Sequence, residues 1–193
     1  MMKRIALSIM LLAVAVSMPA KIWIGGSLSI NTSNTSLGSY NLDANNSIEV
    51  SPEIGYVLSG KWALGLRIGY AHYDNAETTM IDQTVAGQSN QFSVSPFVRY
   101  TFHRAGSFSF YADGSVDYLS TSKSGYDSNM NTLGAAVCPG MNYAINDRLG
   151  LTAHLGSLGY QHSWMKDRGI KLKNDAFNFN IFGSFAFGVY VNL

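Results

Sequence analysis

The sequence predicts an all-β fold, an eight-stranded antiparallel up-and-down β-barrel that spans a membrane. Apolar residues alternate with small or polar residues along eight segments, which is the period of a strand whose two faces meet different surroundings. The connections between these segments are alternately short and long. Beyond the first twenty residues, no apolar run approaches the length of a membrane helix, so insertion into a membrane requires strands.

The amino terminus has the order of a secretion signal. Two basic residues precede an apolar run, and small residues follow it. This order predicts a signal peptide over residues 1–20, with cleavage after either Ser17 or Ala20, and a barrel domain over residues 21–193. A short membrane anchor is the alternative interpretation of the same segment.

Composition excludes several classes of protein. Removal of the signal leaves a formal charge of about −1, and no basic patch indicates nucleic-acid binding. The single cysteine, Cys138, cannot form an internal disulfide, and it does not follow the signal as an acylated lipoprotein cysteine would. We interpret Cys138 as a small packed side chain.

The first four predicted strands each present one apolar face. Their opposite faces carry mainly glycine, serine and a few charged residues. In chain order, the apolar positions are Ile22, Ile24, Leu28 and Ile30; Ile48, Val50, Ile54, Tyr56 and Leu58; Trp62, Leu64, Leu66, Ile68 and Tyr70; and Phe92, Val94, Val98, Tyr100 and Phe102.

The last four predicted strands repeat the pattern. Their apolar positions are Phe108, Phe110, Ala112, Val116 and Tyr118; Leu133, Ala135, Val137, Met141, Tyr143 and Ile145; Leu149, Leu151, Ala153 and Leu155; and Phe177, Phe179, Ile181, Phe185, Phe187, Val189, Val191 and Leu193. The alternation of the seventh strand slips after Leu155, which predicts a β-bulge near Ser157. Pro52, Pro96 and Pro139 predict a bulge or a local break in pairing, because proline lacks the N–H donor.

The connections give the barrel an orientation. Short turns are predicted at residues 59–61, 103–106 and 146–148, and long polar loops at 32–47, 72–90, 120–131 and 161–175. In transmembrane barrels the short turns face the periplasm and the long loops face the exterior.

Side-chain size decides which face meets lipid. A soluble barrel would enclose its bulky apolar face, but here the opposite face is small and polar, which suits the narrow interior of eight strands. Aromatic residues form two predicted girdles. Those near the short turns are Trp62, Tyr100, Phe102, Phe108, Phe110 and Tyr143, and those near the long loops are Tyr70, Phe92, Tyr118, Tyr160 and Phe177.

Charged residues on the polar faces predict a closed interior. The register of the second and third strands places Glu53 against Arg67, and that of the fourth and fifth places Arg99 opposite or diagonal to Asp113. We interpret these as interior ion pairs that plug the lumen, since unpaired charges would be costly there. Five aromatic residues are also predicted to point inward and to exclude a wide channel: Trp23, Phe97, Tyr111, Phe182 and Tyr190.

Three segments resemble the outer-membrane protein β-barrel domain family, particularly its short single-domain members in Bacteroidetes. They are residues 22–29, 155–160 and the last strand, which ends in Gly188, Val191 and Leu193. The resemblance implies a bacterial outer-membrane location, a mostly structural or adhesive role, and delivery by periplasmic chaperones. It also implies that the last strand is the signal read by the barrel-assembly machinery, although the usual final residue is aromatic.

Two other functional interpretations differ in their support. Lipid A-modifying enzymes use barrels of this size with serine and histidine, but neither His154 with Ser157 nor His162 with Ser163 has the spacing of the deacylases. The histidines are too scattered to predict a metal or cofactor site. Ligand recognition or adhesion by the long loops stays open as the alternative to a purely structural role.

Overall fold

The computed structural model is a closed barrel in which eight antiparallel strands follow one another in chain order. It describes residues 22–37, 40–80, 83–123, 129–167 and 170–193, with side chains outside 31–45, 75–87, 123–128, 166–170 and 180–185. The predicted signal peptide and the side chain of Phe182 lie outside these residues. The strands are β1 (Ile22–Leu37), β2 (Tyr40–Val57), β3 (Trp62–Met80), β4 (Gln83–Ala105), β5 (Phe108–Lys123), β6 (Met130–Ala144), β7 (Leu149–Asp167) and β8 (Ile170–Asn192).

Pairing of the first and last strands closes the barrel. The β1–β8 register runs from Trp23 against Asn192 to Leu28 against Phe187. The backbone N–H of Leu193 then donates to the carbonyl of Ile22 at 2.8 Å. Closure gives both edge strands a partner and removes a free sheet edge, which a membrane-spanning sheet requires.

The two faces of the sheet differ as the alternation predicts. Large apolar side chains stand outward, and Leu28, Val116 and Phe177 each expose about half or more of their surface. Inward positions hold the buried side chains, among them Phe97 and Tyr111. Within the described part of the chain, there is no helix with the length and hydropathy needed to cross a bilayer.

One end of the barrel, here called the turn end, carries three short connections. They lie between Val57 and Trp62, Ala105 and Phe108, and Ala144 and Leu149. Side-chain acceptors stabilise two of them, as is usual for polar turn residues. Ser59 Oγ accepts from the backbone of Lys61 and Trp62, and Asn146 Oδ1 accepts from Arg148 and Leu149. The third turn uses Gly106 at a φ of 59°, a conformation that glycine adopts without strain.

The opposite end, the hairpin end, carries the segments predicted as long polar loops. The strands continue through most of those segments, and β3 remains paired with β4 up to Met80 and Gln83. Backbone hydrogen bonding explains the difference, because a hairpin already in register can extend through polar residues that lack apolar alternation. The contrast between short turns and long hairpins is retained.

The prolines and the predicted bulge lie at irregularities of the ladders. Pro52, Pro96 and Pro139 each fall in a gap of one of their two ladders, and the register shifts only beside Pro139. The ladder between β7 and β8 shifts between His154 and Gly156, one residue before the predicted position. Gly156 has a φ of 90° there, which a β-bulge with glycine accommodates.

Candidate functional site: a charged cluster across the lumen

Four charged residues meet inside the barrel from four consecutive strands. Glu53 of β2 pairs in register with Arg67 of β3, and Arg99 of β4 pairs with Asp113 of β5. All four occupy positions of the inward face. The structure therefore brings together every residue for which the sequence predicted an interior ion pair.

The distances join the two pairs into one network, here called the plug cluster. Arg67 Nη2 lies 3.0 Å from Glu53 Oε2 and 3.2 Å from Asp113 Oδ2. Arg99 donates to Asp113 through Nε at 2.7 Å and Nη2 at 2.8 Å, and its Nη2 is 3.5 Å from Glu53 Oε1. Asp113 is fully buried. Two cations thus balance two anions, which is how proteins keep buried charges.

Aromatic rings surround the guanidinium groups of the plug cluster. The Arg99 guanidinium carbon lies 3.9 Å from the centre of the Tyr111 ring and within 5.3 Å of the rings of Trp23 and Phe97. The Arg67 guanidinium carbon lies 4.9 Å from the centre of the Phe97 ring. These distances are those of cation–π contacts, which gain strength when water is excluded.

Four of the described inward rings each lie directly opposite a glycine on a neighbouring strand. The register pairs Trp23 with Gly55, Phe97 with Gly65, Tyr111 with Gly140, and Tyr190 with Gly150, in that order around the lumen. A Cβ at any of these glycines would overlap the ring. Cross-strand glycines therefore give the rings room to lie flat against the wall of a narrow barrel.

The plug cluster separates two cavities of the lumen. One of about 180 Å³ opens at the turn end, with Trp23, Arg99 and Tyr190 in its wall. The other, of about 310 Å³, lies towards the hairpin end, with Arg67 and Ser51 in its wall. In the described part of the chain, the two cavities share no lining residue, so the two arginines mark their boundary.

The histidines that the enzyme hypothesis considered are far from a serine-based catalytic arrangement. His154 lies in the lumen, where its Nδ1 is 3.5 Å from the Tyr111 hydroxyl. Ser163 is buried inside and bonds Thr132 at 2.8 Å, whereas the neighbouring His162 stands on the outer face and contacts Asp175. Among the described side chains, the hydrogen bonds of these two histidines go to Tyr111 and Asp175 and not to a serine.

The residues proposed as an assembly signal lie at the closing seam. Gly188 pairs with Ser27, Val191 pairs with Ile24, and Leu193 follows the last paired residues. A Cβ at Gly188 would overlap the backbone of Gly26. The glycine therefore allows β1 and β8 to approach each other closely. Recognition of these residues by the barrel-assembly machinery stays a prediction.

A second cluster was missed by the sequence reasoning. On the outer face near the hairpin end, Tyr160 Oη and His162 Nδ1 lie 2.6 and 2.7 Å from Asp175 Oδ1. The hydrogen bond from Tyr160, followed by that from His162, lowers the pKa of the Asp175 carboxyl below its usual value. Tyr70 and His72 share Asn90 Oδ1 in the same manner. The Tyr-x-His spacing on one face was the available signal, but His72, His162 and Asp175 fell within segments interpreted as loops.

Metal binding has no geometric support in the described residues, where no three histidine, cysteine or acidic side chains converge. Cys138 is half-buried with a free thiol.

The architecture is that of an integral barrel with a lipid-facing apolar surface and a filled polar lumen. This is the class of bacterial outer-membrane β-barrel proteins.

Comparison with known families defines the chain further. The model of the outer membrane protein beta-barrel domain matches residues 5–185, and the chain belongs to that family. Its location is therefore the bacterial outer membrane. A search for similar curated proteins found no match.

Solved structures of similar architecture come from several bacteria. The outer membrane protein OprG from Pseudomonas aeruginosa is 12% identical, with a TM-score of 0.56 over 90% of this chain and 95% of that one. A major outer membrane protein from Thermus thermophilus is 13% identical, with a TM-score of 0.49 over 91% and 100%. Neisserial surface protein A is 16% identical, with a TM-score of 0.44 over 90% and 96%. At these identities, the likeness to OprG shows the fold alone.

Proposed function

We propose that this protein is a plugged outer-membrane barrel with a structural or surface-interaction role, and that it neither conducts ions nor catalyses a reaction. The plug cluster carries the proposal. An ion that crossed the lumen would have to part Arg99 from Asp113, whose bonds of 2.7 and 2.8 Å are buried. Parting a buried pair costs several kcal/mol because each charge loses its partner away from water.

Conductance across a planar lipid bilayer tests the proposal. We expect the wild-type barrel to show no steady conductance. A variant with all four charges of the plug cluster replaced by serine should conduct, because serine leaves a polar, water-filled path between the two cavities. Lys61→Ser/Asp147→Ser, which changes exposed turn residues, serves as the control and should remain closed. Steady current through the wild type would refute the plug.

The absence of catalysis is proposed from the placement of the histidines. Nucleophilic catalysis requires a base within hydrogen-bond reach of a hydroxyl nucleophile. His162 and Asp175 form a base and its orienting partner on the outer face, but the hydroxyl bonded to this pair belongs to Tyr160, which donates to the carboxylate. This arrangement supports a binding role for the cluster over an acyl-transfer role.

Surface recognition by the hairpin end is the second candidate function. Beyond Tyr70, strands β3 and β4 stay paired for about ten more residues of β3, an extension of about 30 Å along the strand. Paired hairpins hold their outer residues in fixed positions, which suits recognition by a surface or ligand. Loops without pairing would lose more conformational entropy on binding.

A surface role requires that the hairpin end faces the exterior. In a Cys138→Ser background, Lys171→Cys places a thiol at an exposed position of the hairpin end, and Lys61→Cys places one at the turn end. A membrane-impermeant maleimide applied to intact cells should label the first variant and spare the second, while both react after lysis. If only Lys61→Cys were labelled in intact cells, the turn end would face the exterior, and a surface role for the hairpin end would be excluded.

A further inference from the structure

The outer face of β7 and β8 carries an aromatic and cationic patch next to the hairpin end. In register, His162 pairs with Asp175 and Trp164 pairs with Lys173. We name the outward side chains of this region the β7–β8 patch; they are Tyr160, His162, Trp164, Lys171, Lys173 and Asp175. None belongs to the lumen, and the plugged barrel does not require them.

Contacts within the β7–β8 patch fix its aromatic part and leave its lysines available. The His162 and Trp164 rings stack, with centroids 5.9 Å apart and planes at 26°. Asp175 is held by the bonds from Tyr160 and His162. Lys171 and Lys173 are exposed. The outer face of β8 therefore carries two lysines and one carboxylate that is already hydrogen-bonded, which leaves a net positive surface.

The depth of the patch is set by a belt of tyrosines. Tyr70, Tyr118 and Tyr160 each direct the hydroxyl to an Asn or Asp acceptor on the adjacent strand, at 2.9, 2.9 and 2.6 Å. Tyrosines with one apolar and one polar side mark the boundary between hydrocarbon and headgroups. Lys173 lies four residues beyond Phe177, the partner of Tyr160, which is about 10 Å along the membrane normal for a tilted strand. Its side chain can therefore reach the headgroup layer.

An internal comparison shows what is special about β7 and β8. On β3 and β4, Tyr70 and His72 share the acceptor Asn90 in the same arrangement. The next outward pair there is Asp74 with Gln88, in place of Trp164 with Lys173. The tyrosine and histidine pair thus recurs as a boundary feature, whereas the lysines and tryptophan occur together only in the β7–β8 patch among the described side chains.

We propose that the β7–β8 patch binds the phosphorylated sugar headgroup of an anionic glycolipid in the outer leaflet. The lysine ammonium groups supply charge-assisted hydrogen bonds to the phosphate. The exposed ring of Trp164 offers an apolar surface for the sugar, and His162 is oriented by Asp175 to present Nε2 to the same headgroup. The location in the outer membrane and the depth of the patch favour a membrane lipid as the occupant over a soluble anion.

Binding of lipid A by the full chain in nanodiscs of zwitterionic phospholipid tests the proposal. We expect Lys171→Gln/Lys173→Gln to weaken binding of bis-phosphorylated lipid A by about 30-fold, since each of the two surface lysines contributes about 1 kcal/mol to anionic lipid binding. Lys61→Gln/Arg148→Gln removes the same charge from the turn end and should bind as the wild type does. Lipid A without phosphates should bind weakly to all three proteins.

Three outcomes would overturn the proposal. Equal weakening by both double variants would show a general charge effect. Equal binding of lipid A with and without phosphates would exclude phosphate recognition. Full displacement by inorganic phosphate at millimolar concentration would assign the patch to a soluble anion. We expect both double variants to fold, because surface glutamines disturb no buried contact. Migration of unboiled samples on a gel verifies this for each variant.

Discussion

Replacement of Asp113 by asparagine is expected to destabilise the barrel by about 3–5 kcal/mol, the range for removal of one partner from a buried ion pair. Asp113 is fully buried and accepts two hydrogen bonds from Arg99 and one from Arg67. Asparagine has nearly the same shape, but it carries no charge and offers one acceptor oxygen where aspartate offers two. Arg99 would then remain buried among three aromatic rings without its main counter-charge.

Urea unfolding in phospholipid vesicles, followed by tryptophan fluorescence, measures this effect. Asp147→Asn is the matched control, because Asp147 is exposed in the last turn, and its midpoint should equal that of the wild type. Addition of Arg99→Gln to Asp113→Asn should recover part of the loss, since the uncompensated charge disappears with it. If the urea midpoint of Asp113→Asn equalled that of Asp147→Asn, water would already solvate the plug cluster, and Arg99 would not depend on Asp113.

The ion pairs within each hairpin of the plug cluster could be predicted from the sequence. The contacts that join the two pairs into one network could not. Alternation and a short turn fix the register of one hairpin, so Glu53 opposite Arg67 follows from residue numbers alone. The contacts of Arg67 with Asp113 and of Arg99 with Glu53 join different hairpins. They depend on barrel curvature and on side-chain conformation, neither of which the period of two specifies.

The hairpin end shows the opposite limit. Residues 72–90 lack apolar alternation, so the sequence favoured a loop, while the structure continues β3 and β4 through most of that range. Pairing there is held by backbone hydrogen bonds that any residue except proline can make. For the same reason, the shared contacts of Tyr160 and His162 with Asp175 could not be anticipated, because they require a paired register in the segment interpreted as loop.

Gly140→Val is expected to destabilise the barrel by about 1–3 kcal/mol or more, the range for overpacking in a filled interior. A Cβ at Gly140 would meet the Tyr111 ring, with its ring carbon and hydroxyl oxygen 2.5 and 2.6 Å away. The ring cannot move aside easily, because Tyr111 is fully buried, bonds Thr152 at 2.9 Å and covers Arg99. Valine would therefore disturb the plug cluster as well as the wall.

Gly114→Val separates this packing effect from the effect of losing a strand glycine. Gly114 pairs with Val98 and Val137 on the outer face, and a Cβ there meets nothing within 4 Å. Valine at Gly114 should leave the urea midpoint unchanged or raise it, since a β-branched residue favours the strand and its methyl groups face lipid. If both variants shifted the urea midpoint by the same amount, the cause would be the loss of glycine backbone flexibility and not steric overlap with the Tyr111 ring. A loss of stability confined to Gly140→Val would show that glycine is needed at this position to leave space for the Tyr111 ring. The same reasoning extends to Gly55 and Gly65, which lie opposite other inward rings.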